Sequence, residues 1–348
     1  MTGVACMQHR ITKPSDLLNK CGKLIQKGYA TKPLLHYHRK NVAFKCRLKE
    51  WDYYLVYNNK YAVALTVGKI KYLAVISATL IDFSTKKSFS KTVVKFMSAR
   101  KFTMPESSET GDITIKTNKL NLSICNHECS RQLYLLMKGA SGKCDLEISL
   151  TLSQEPNDSM IIALPFKQCN KLFYFSRKII GMDASGYAKL GNETYCFSSV
   201  NSYGLLNWGR SAFPLHTDWF WAAAQGRICG YRFGFNLAAG LADTSYATEN
   251  MLFYKGTASK LYDVSFVIPK TKKGYEYMKP WKIYSSDKRI ELKFTPILER
   301  KGKLCTLLFS CTHHQVFGIF SGCATLDDGT IVLINDFPGF VSNITTRC

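Results

Sequence analysis

From Lys45 onward, apolar and polar residues alternate with a period of two over most of the chain. Leu146, Ile148, Leu150 and Leu152 fall on one side, and Glu147, Ser149 and Thr151 on the other. That is the pattern of an antiparallel strand with one covered face. Tyr61 to Val67, Leu73 to Phe83 and Lys91 to Met97 are rich in β-branched and aromatic residues, which suit a pleated, half-buried surface. Ile113 and Ile115, then Leu120, Leu122 and Ile124, continue the alternation on either side of a turn at Asn118-Lys119. Further along, Tyr262 to Ile268 and Ile290 to Phe294 keep the same period. Val316 to Thr325 and Thr330 to Asn335 form a hairpin pattern across Asp327-Asp328-Gly329, with glycine supplying the positive φ.

One segment departs from this period. Leu17, Leu18, Cys21, Leu24 and Ile25 fall at helical spacing, Ser15 stands where an N-cap belongs and Gly28 where a helix would stop. The spacing predicts a short N-terminal helix. Many short strands with almost no helical segment between them call for barrels or sandwiches. The expected division is a helix and lead-in over 1–44, a first β domain over 45–190 and a second over 191–348. Trp51-Asp52-Tyr53-Tyr54 and Asp218-Trp219-Phe220-Trp221 each open a run of about three strands. A weak internal duplication and chance likeness of aromatic-rich strands explain this equally well.

The segment from Leu205 to Tyr254 carries Trp208, Trp219 and Trp221, three of the five tryptophans, among Arg210, Asp218, Arg232, Asp243 and Glu249. Aromatics fill space, but charges on such strands need partners if buried. The mixture suits a pocket lining. A carboxyl group in an apolar pocket is pushed toward its neutral form and can act as a general acid. Asp218 and Glu249 are therefore the catalytic candidates, with tryptophan faces to stabilise a developing cation. The competing explanation is that they pair with Arg210 or Arg232 inside a barrel.

The 47 Lys and Arg residues against 25 Asp and Glu give a net charge of +22, which raises nucleic acid or an anionic membrane surface as partners. The charge is spread along the chain without a basic tract, which favours a compositional bias, and nucleic acid is not expected. No apolar run reaches the roughly 18 residues of a membrane span, and the N-terminal residues lack the apolar core of a secretory signal. A cytoplasmic location is expected. The thirteen cysteines then read as buried thiols acting as small hydrophobes, Cys46, Cys196 and Cys229 among them. Cys125, His127 and Cys129 have part of a metal-ligand spacing but lack a matching second half, so neither a metal nor a cofactor is expected. Gly-x-Ser-x-Gly, His-Glu-x-x-His and phosphate-loop patterns are missing from the sequence.

The chain resembles the family called domain of unknown function 2804. The likeness rests on Ile11-Thr-Lys-Pro-Ser-Asp-Leu-Leu18, Lys49-Glu-Trp-Asp-Tyr-Tyr54, Asn207-Trp-Gly-Arg210, Trp219-Phe-Trp221, Gly234-Phe-Asn-Leu237, Thr248-Glu-Asn250, Pro280-Trp281 and Phe317-Gly-Ile-Phe-Ser-Gly322. It departs at Asn207, where the family carries an acidic residue, and at Ser342. The resemblance implies two lipocalin-like antiparallel β-barrels or strongly curved sheets of the calycin kind, with apolar ligands in or between them. Trp51, Trp208, Arg210, Trp219, Trp221, Asn236 and Asn250 are the ligand-contact candidates. Three functions follow as expectations: binding a hydrophobic small molecule or lipid, a hydratase, isomerase or cyclase acting on such a molecule, and polyanion binding.

Overall fold

The computed structural model of the protein describes residues 8–96, 102–127, 130–153, 158–272, 274–306 and 309–347. About two thirds of the chain, 68%, is strand and 2% is helical, and the strands form two curled antiparallel half-barrel sheets. The helical residues among those described are single 3-10 turns at Arg39–Asn41 and Lys45–Arg47. No helix among the described residues is long and apolar enough to cross a membrane.

By internal contacts the chain forms two units. The first half-barrel unit comprises Lys49–Asn157 and Gly181–Arg210; the second comprises Met1–Leu48, Asp158–Ile180 and Ser211–Cys348. Strands of the first are β1 (Leu48–Tyr57), β2 (Tyr61–Ile70), β3 (Leu73–Asp82), β4 (Lys87–Phe96), β5 (Ile113–Thr117), β6 (Leu120–Asn126), β7 (Ser130–Ser141) and β8 (Cys144–Ser153). After β9 (Met160–Phe166) comes the 22-residue β10 (Cys169–Leu190), whose C-terminal half belongs to the first unit and whose N-terminal half pairs with β9 in the second. Short β11 (Glu193–Phe197) and β12 (Tyr203–Ala212) complete it, in the order β4-β3-β2-β1-β12-β10-β8-β7-β6-β5, with β11 beside β10.

The sequence periodicity identifies the inner face. Leu146, Ile148, Leu150 and Leu152 are 0–3% exposed, and they stand opposite Leu133, Leu135 and Met137 of β7. A methyl placed on Gly204 would meet Leu152 and Val56. The face bearing Asp52, Tyr54 and Val56 of β1 is therefore the one bearing Gly204, Leu206, Trp208 and Arg210 of β12. The free edge, β4, carries Lys87, Lys91 and Lys95 at every fourth position. Lysines on an edge strand oppose pairing with another chain, so part of the positive charge has a structural use.

The second unit continues with β13 (His216–Ile228), β14 (Tyr231–Ala239), β15 (Met251–Tyr254), β16 (Thr257–Lys260), β17 (Val264–Val267), β18 (Trp281–Ser285), β19 (Ile290–Thr306), β20 (Phe309–Thr325) and β21 (Ile331–Arg347), in the order β16-β15-β14-β13-β21-β20-β19-β18-β17. One face is a dry core holding Ala222, Ala224, Phe235, Phe294, Phe320 and Val341. The β20–β21 hairpin turns where expected: Gly329 has φ +84° and its N–H donates to Leu326 O. At Gly322, φ +149° coincides with a register shift, a bulge that bends this long hairpin. Each of the two aromatic-acidic segments opens a four-strand meander, β1 to β4 and β13 to β16.

The N-terminal helix does not form. Leu17, Leu18 and Leu24 are buried, but Cys21 is exposed and Ile25 is half exposed, so the five residues do not share a face. Asn19 decides the local structure. Its side-chain oxygen accepts from the N–H groups of Cys21 and Lys23, and its carbonyl accepts from Gly22, which has φ +77°. An Asn side chain competes with the helix for backbone donors in this way. Ser15 and Asp16 pair as a strand with Leu35 and His36. The cysteine expectation is also corrected: Cys46, Cys196 and Cys229 are exposed. Cys229 takes φ +50° in the β13–β14 turn, where chain direction rather than burial governs the site. Cys129 lies outside the described residues.

Candidate functional site

Among the described residues, each unit buries a centre of charged side chains. In the second unit, Tyr174 and Lys178 lie four apart on β10 and so point the same way. The Tyr174 hydroxyl donates to Glu249 Oε1 at 2.7 Å, and Lys178 Nζ donates to the same oxygen at 2.5 Å and to Tyr174 Oη at 3.1 Å. The Lys178 and Glu249 side chains are 2% and 7% exposed. Burial holds the Lys178 ammonium below its usual pKa, against the pull of Glu249. Burial and then Glu249 push Tyr174 well above the usual phenol range, so it remains a proton donor. The Lys178 ammonium lies 5.6 Å from the Trp221 ring centroid, within cation–π range.

Register explains why Trp221 is here. Ala222 and Ala224 face the dry core, so Trp221 and Ala223 face the opposite way. On that face Trp221 stands opposite Ser342, and Ser342 opposite Gln315. Asn236 ties the cluster together: its side-chain oxygen accepts from Trp221 Nε1 at 2.7 Å and its amide donates to Glu249 O at 2.7 Å. Asn236→Ala orphans both partners. At roughly 1–3 kcal/mol for each unsatisfied buried group, urea unfolding should show a loss of about 2–6 kcal/mol. Asn250 also serves the backbone, accepting from Ala238 N and donating to Tyr262 O. Lys260 beside it donates to Thr248 Oγ1 and to the carbonyls of Asn250 and Leu261, and burial lowers its pKa to about 7.

On the same face as Ser342, the His313 ring nitrogen Nε2 is 2.9 Å from Ser342 Oγ. Burial, helped by Arg300, lowers the His313 pKa to about 3. An unfolded histidine protonates near pH 6.5, so between about pH 6.5 and 3 the unfolded state binds a proton that the folded state does not. Stability from this residue is complete above pH 6.5 and is lost as pH falls through that window, at no more than about 1.4 kcal/mol per unit. A His313→Gln variant should show a flatter acid limb in unfolding free energy against pH.

The first unit holds the other centre. Arg210 Nη1 donates to Asp52 Oδ1 at 2.9 Å and to the carbonyls of Trp51 and Gly209, and Nε donates to Pro105 O. The guanidinium carbon lies 4.3 Å from the Trp208 ring centroid. Tyr54, two residues from Asp52 on the same face, is buried, and its hydroxyl is pushed to about 12 by burial, against the lowering effect of Arg131.

The sequence candidates divide accordingly. Trp51, Trp208 and Arg210 belong to the first unit; Trp219, Trp221, Asn236, Asn250, Asp218 and Glu249 belong to the second. Trp51 lies over Gly209, where a methyl would strike the indole ring. Trp219 is half-buried, its ring 6.4 Å from that of Phe213. Asp218 is exposed and accepts from Thr345 Oγ1, whereas Glu249 is buried, so the two carboxylates do not share a site. Lys178, Tyr174 and Arg131 were missed by sequence reasoning, although each stands in phase with apolar neighbours on its strand.

A family model for a domain of unknown function, DUF2804, matches residues 8–347. The chain belongs to that family. None of the curated proteins matches this DUF2804 chain in sequence. Among solved structures, a protein provisionally assigned as AttH from Nitrosomonas europaea is similar, with a TM-score of 0.52 and 11% identity over 85% of this chain and 92% of that one. Kievitone hydratase from Nectria haematococca has a TM-score of 0.47 and 11% identity over 86% and 88%. The AttH likeness shows that the DUF2804 chain shares that fold.

Proposed function

We propose that the protein binds an apolar small molecule or lipid against the inner face of its first half-barrel. The observation that supports this is the composition of that face. It is apolar along β3, β6 and β8, along β2 as far as Val67 and along β7 beyond Arg131, and its polar groups are Glu50, Asp52, Tyr54, Lys69, Arg131 and Arg210, the last beside Trp208. Binding sites for small molecules are mostly apolar with a few placed polar groups. Native mass spectrometry of the protein purified from its own source should retain an apolar adduct. The delipidated chain should then take up 1-decanol in calorimetry. Failure of both overturns the proposal.

A second reading rests on Lys178, Glu249 and Tyr174. A buried ammonium, carboxylate and phenol beside Trp221 can hold and move a proton in a water-poor setting, which is what a hydratase or isomerase needs for an apolar substrate. The hydratase likeness lends it no weight. If the centre acts in this way, apolar ligand recovered from protein held in D2O carries deuterium, and Glu249→Gln abolishes the label while binding persists. Unlabelled ligand from the wild-type chain removes this reading.

A further inference from the structure

The inner face of the first half-barrel contains an imbalance that protein groups do not resolve. Arg131 opens the β7 series Arg131, Leu133, Leu135, Met137, all 0–2% exposed, so its guanidinium lies at the end of the apolar inner face. Its bonds go to neutral acceptors, Asn126 Oδ1 and the Ser108 carbonyl. Among the described residues no carboxylate is in ion-pair contact with it. Arg210 has Asp52, but only through Nη1. Two guanidinium groups thus share one bonded carboxylate in a region where an uncompensated charge is costly.

Arg131 Nε, Arg210 Nη2 and the Tyr54 hydroxyl have no partner of good geometry at this end. Arg131 leans on the Tyr54 oxygen as a side-chain hydrogen-bond donor, and Asp52 and Arg210 act on the same hydroxyl, so the groups are neighbours; the Tyr54 O–H and Arg210 Nη2 are the two donors left without an acceptor. Buried donors in native proteins are almost always paired, and one such atom alone could be left to a water molecule. A net positive cluster that presents two open donors matches the chemistry of an oxyanion, which offers several lone pairs and a negative charge.

We propose that Tyr54, Arg131 and Arg210 form a subsite for the carboxylate head group of an aliphatic acid whose tail meets the inner leucines. This rests on the apolar-ligand reading above and adds its head-group chemistry. The carboxylate would accept from Arg210 Nη2 and the Tyr54 hydroxyl, with Arg131 behind the phenol oxygen, offsetting the second guanidinium charge. No bond is made or broken.

The test compares decanoate, 1-decanol and inorganic phosphate with the delipidated full chain by calorimetry at pH 7.5 and low salt. Decanoate should bind at least tenfold more tightly than decanol, and phosphate alone more weakly than decanoate. Arg131→Met should bring decanoate to the level of decanol. If that variant fails to fold, Tyr54→Phe, which deletes one open donor and the oxygen that Arg131 leans on, should narrow the gap severalfold. Equal affinity for decanoate and decanol overturns the head-group proposal and leaves the apolar-ligand reading intact. Phosphate binding as tightly as decanoate overturns the aliphatic tail. Binding of none of the three overturns both.

Discussion

Lys178→Met lowers the unfolding free energy by about 3–5 kcal/mol, the range seen when one partner of a buried ion pair is removed. Lys178 Nζ is the cation bonded to Glu249, and both side chains are nearly sealed from water. Its loss leaves Glu249 with the Tyr174 hydroxyl and no bonded cation, Lys260 acting on it only from a distance. A methionine fills a similar volume, so packing loss contributes little. The double variant Lys178→Met with Glu249→Leu removes the stranded charge as well, and should recover most of the loss. Urea titration of both variants separates the outcomes. A double variant as unstable as the single one would mean that shape, and not charge, sets the cost.

Arg210→Met should destabilise the protein by a similar amount, about 3–5 kcal/mol, for a different local reason. Arg210 binds Asp52 and three backbone carbonyls through two of its nitrogens, and it stacks on Trp208. Lysine cannot reproduce that fork or the planar stack, so Arg210→Lys should restore less than half of the loss. The measurement is again chemical denaturation, with near-ultraviolet circular dichroism following Trp208. If lysine restored full stability, the neutral carbonyl contacts would be dispensable and the Asp52 pair alone would matter.

The sequence was most informative where one face of a strand meets water. The alternation from Leu146 to Leu152 and the Asp327–Gly329 turn could be placed without coordinates because period two and turn chemistry are local. The segment from Leu17 to Ile25 misled, because five apolar residues at helical spacing say nothing of Asn19 holding the intervening backbone in a turn. Glu249 was singled out from its setting, and the expectation that buried charges pair was sound in kind. The partner was not Arg210 or Arg232 but Lys178, 71 residues away. Such a pairing depends on which strands are neighbours, and alternation alone does not encode that. A weaker local signal was present. Lys178 sits inside the run from Leu172 to Ile180, and Arg131 stands in phase with Leu133, Leu135 and Met137. A charge on the apolar phase of a strand marks a position the fold must neutralise. Register places Trp221 on the face away from the dry core because Ala222 and Ala224 occupy it, and Trp208 belongs to the first unit.

The central claim is that the inner face of the first half-barrel receives the ligand. It is tested most directly by methyl NMR of the delipidated chain, labelled at leucine and isoleucine, during titration with 1-decanol. The account predicts saturable shifts at Leu133, Leu135, Leu150 and Leu152, with Ile283 and Leu292 of the second unit's core unmoved. Shifts confined to Ile283 and Leu292, or none at saturation, would contradict it.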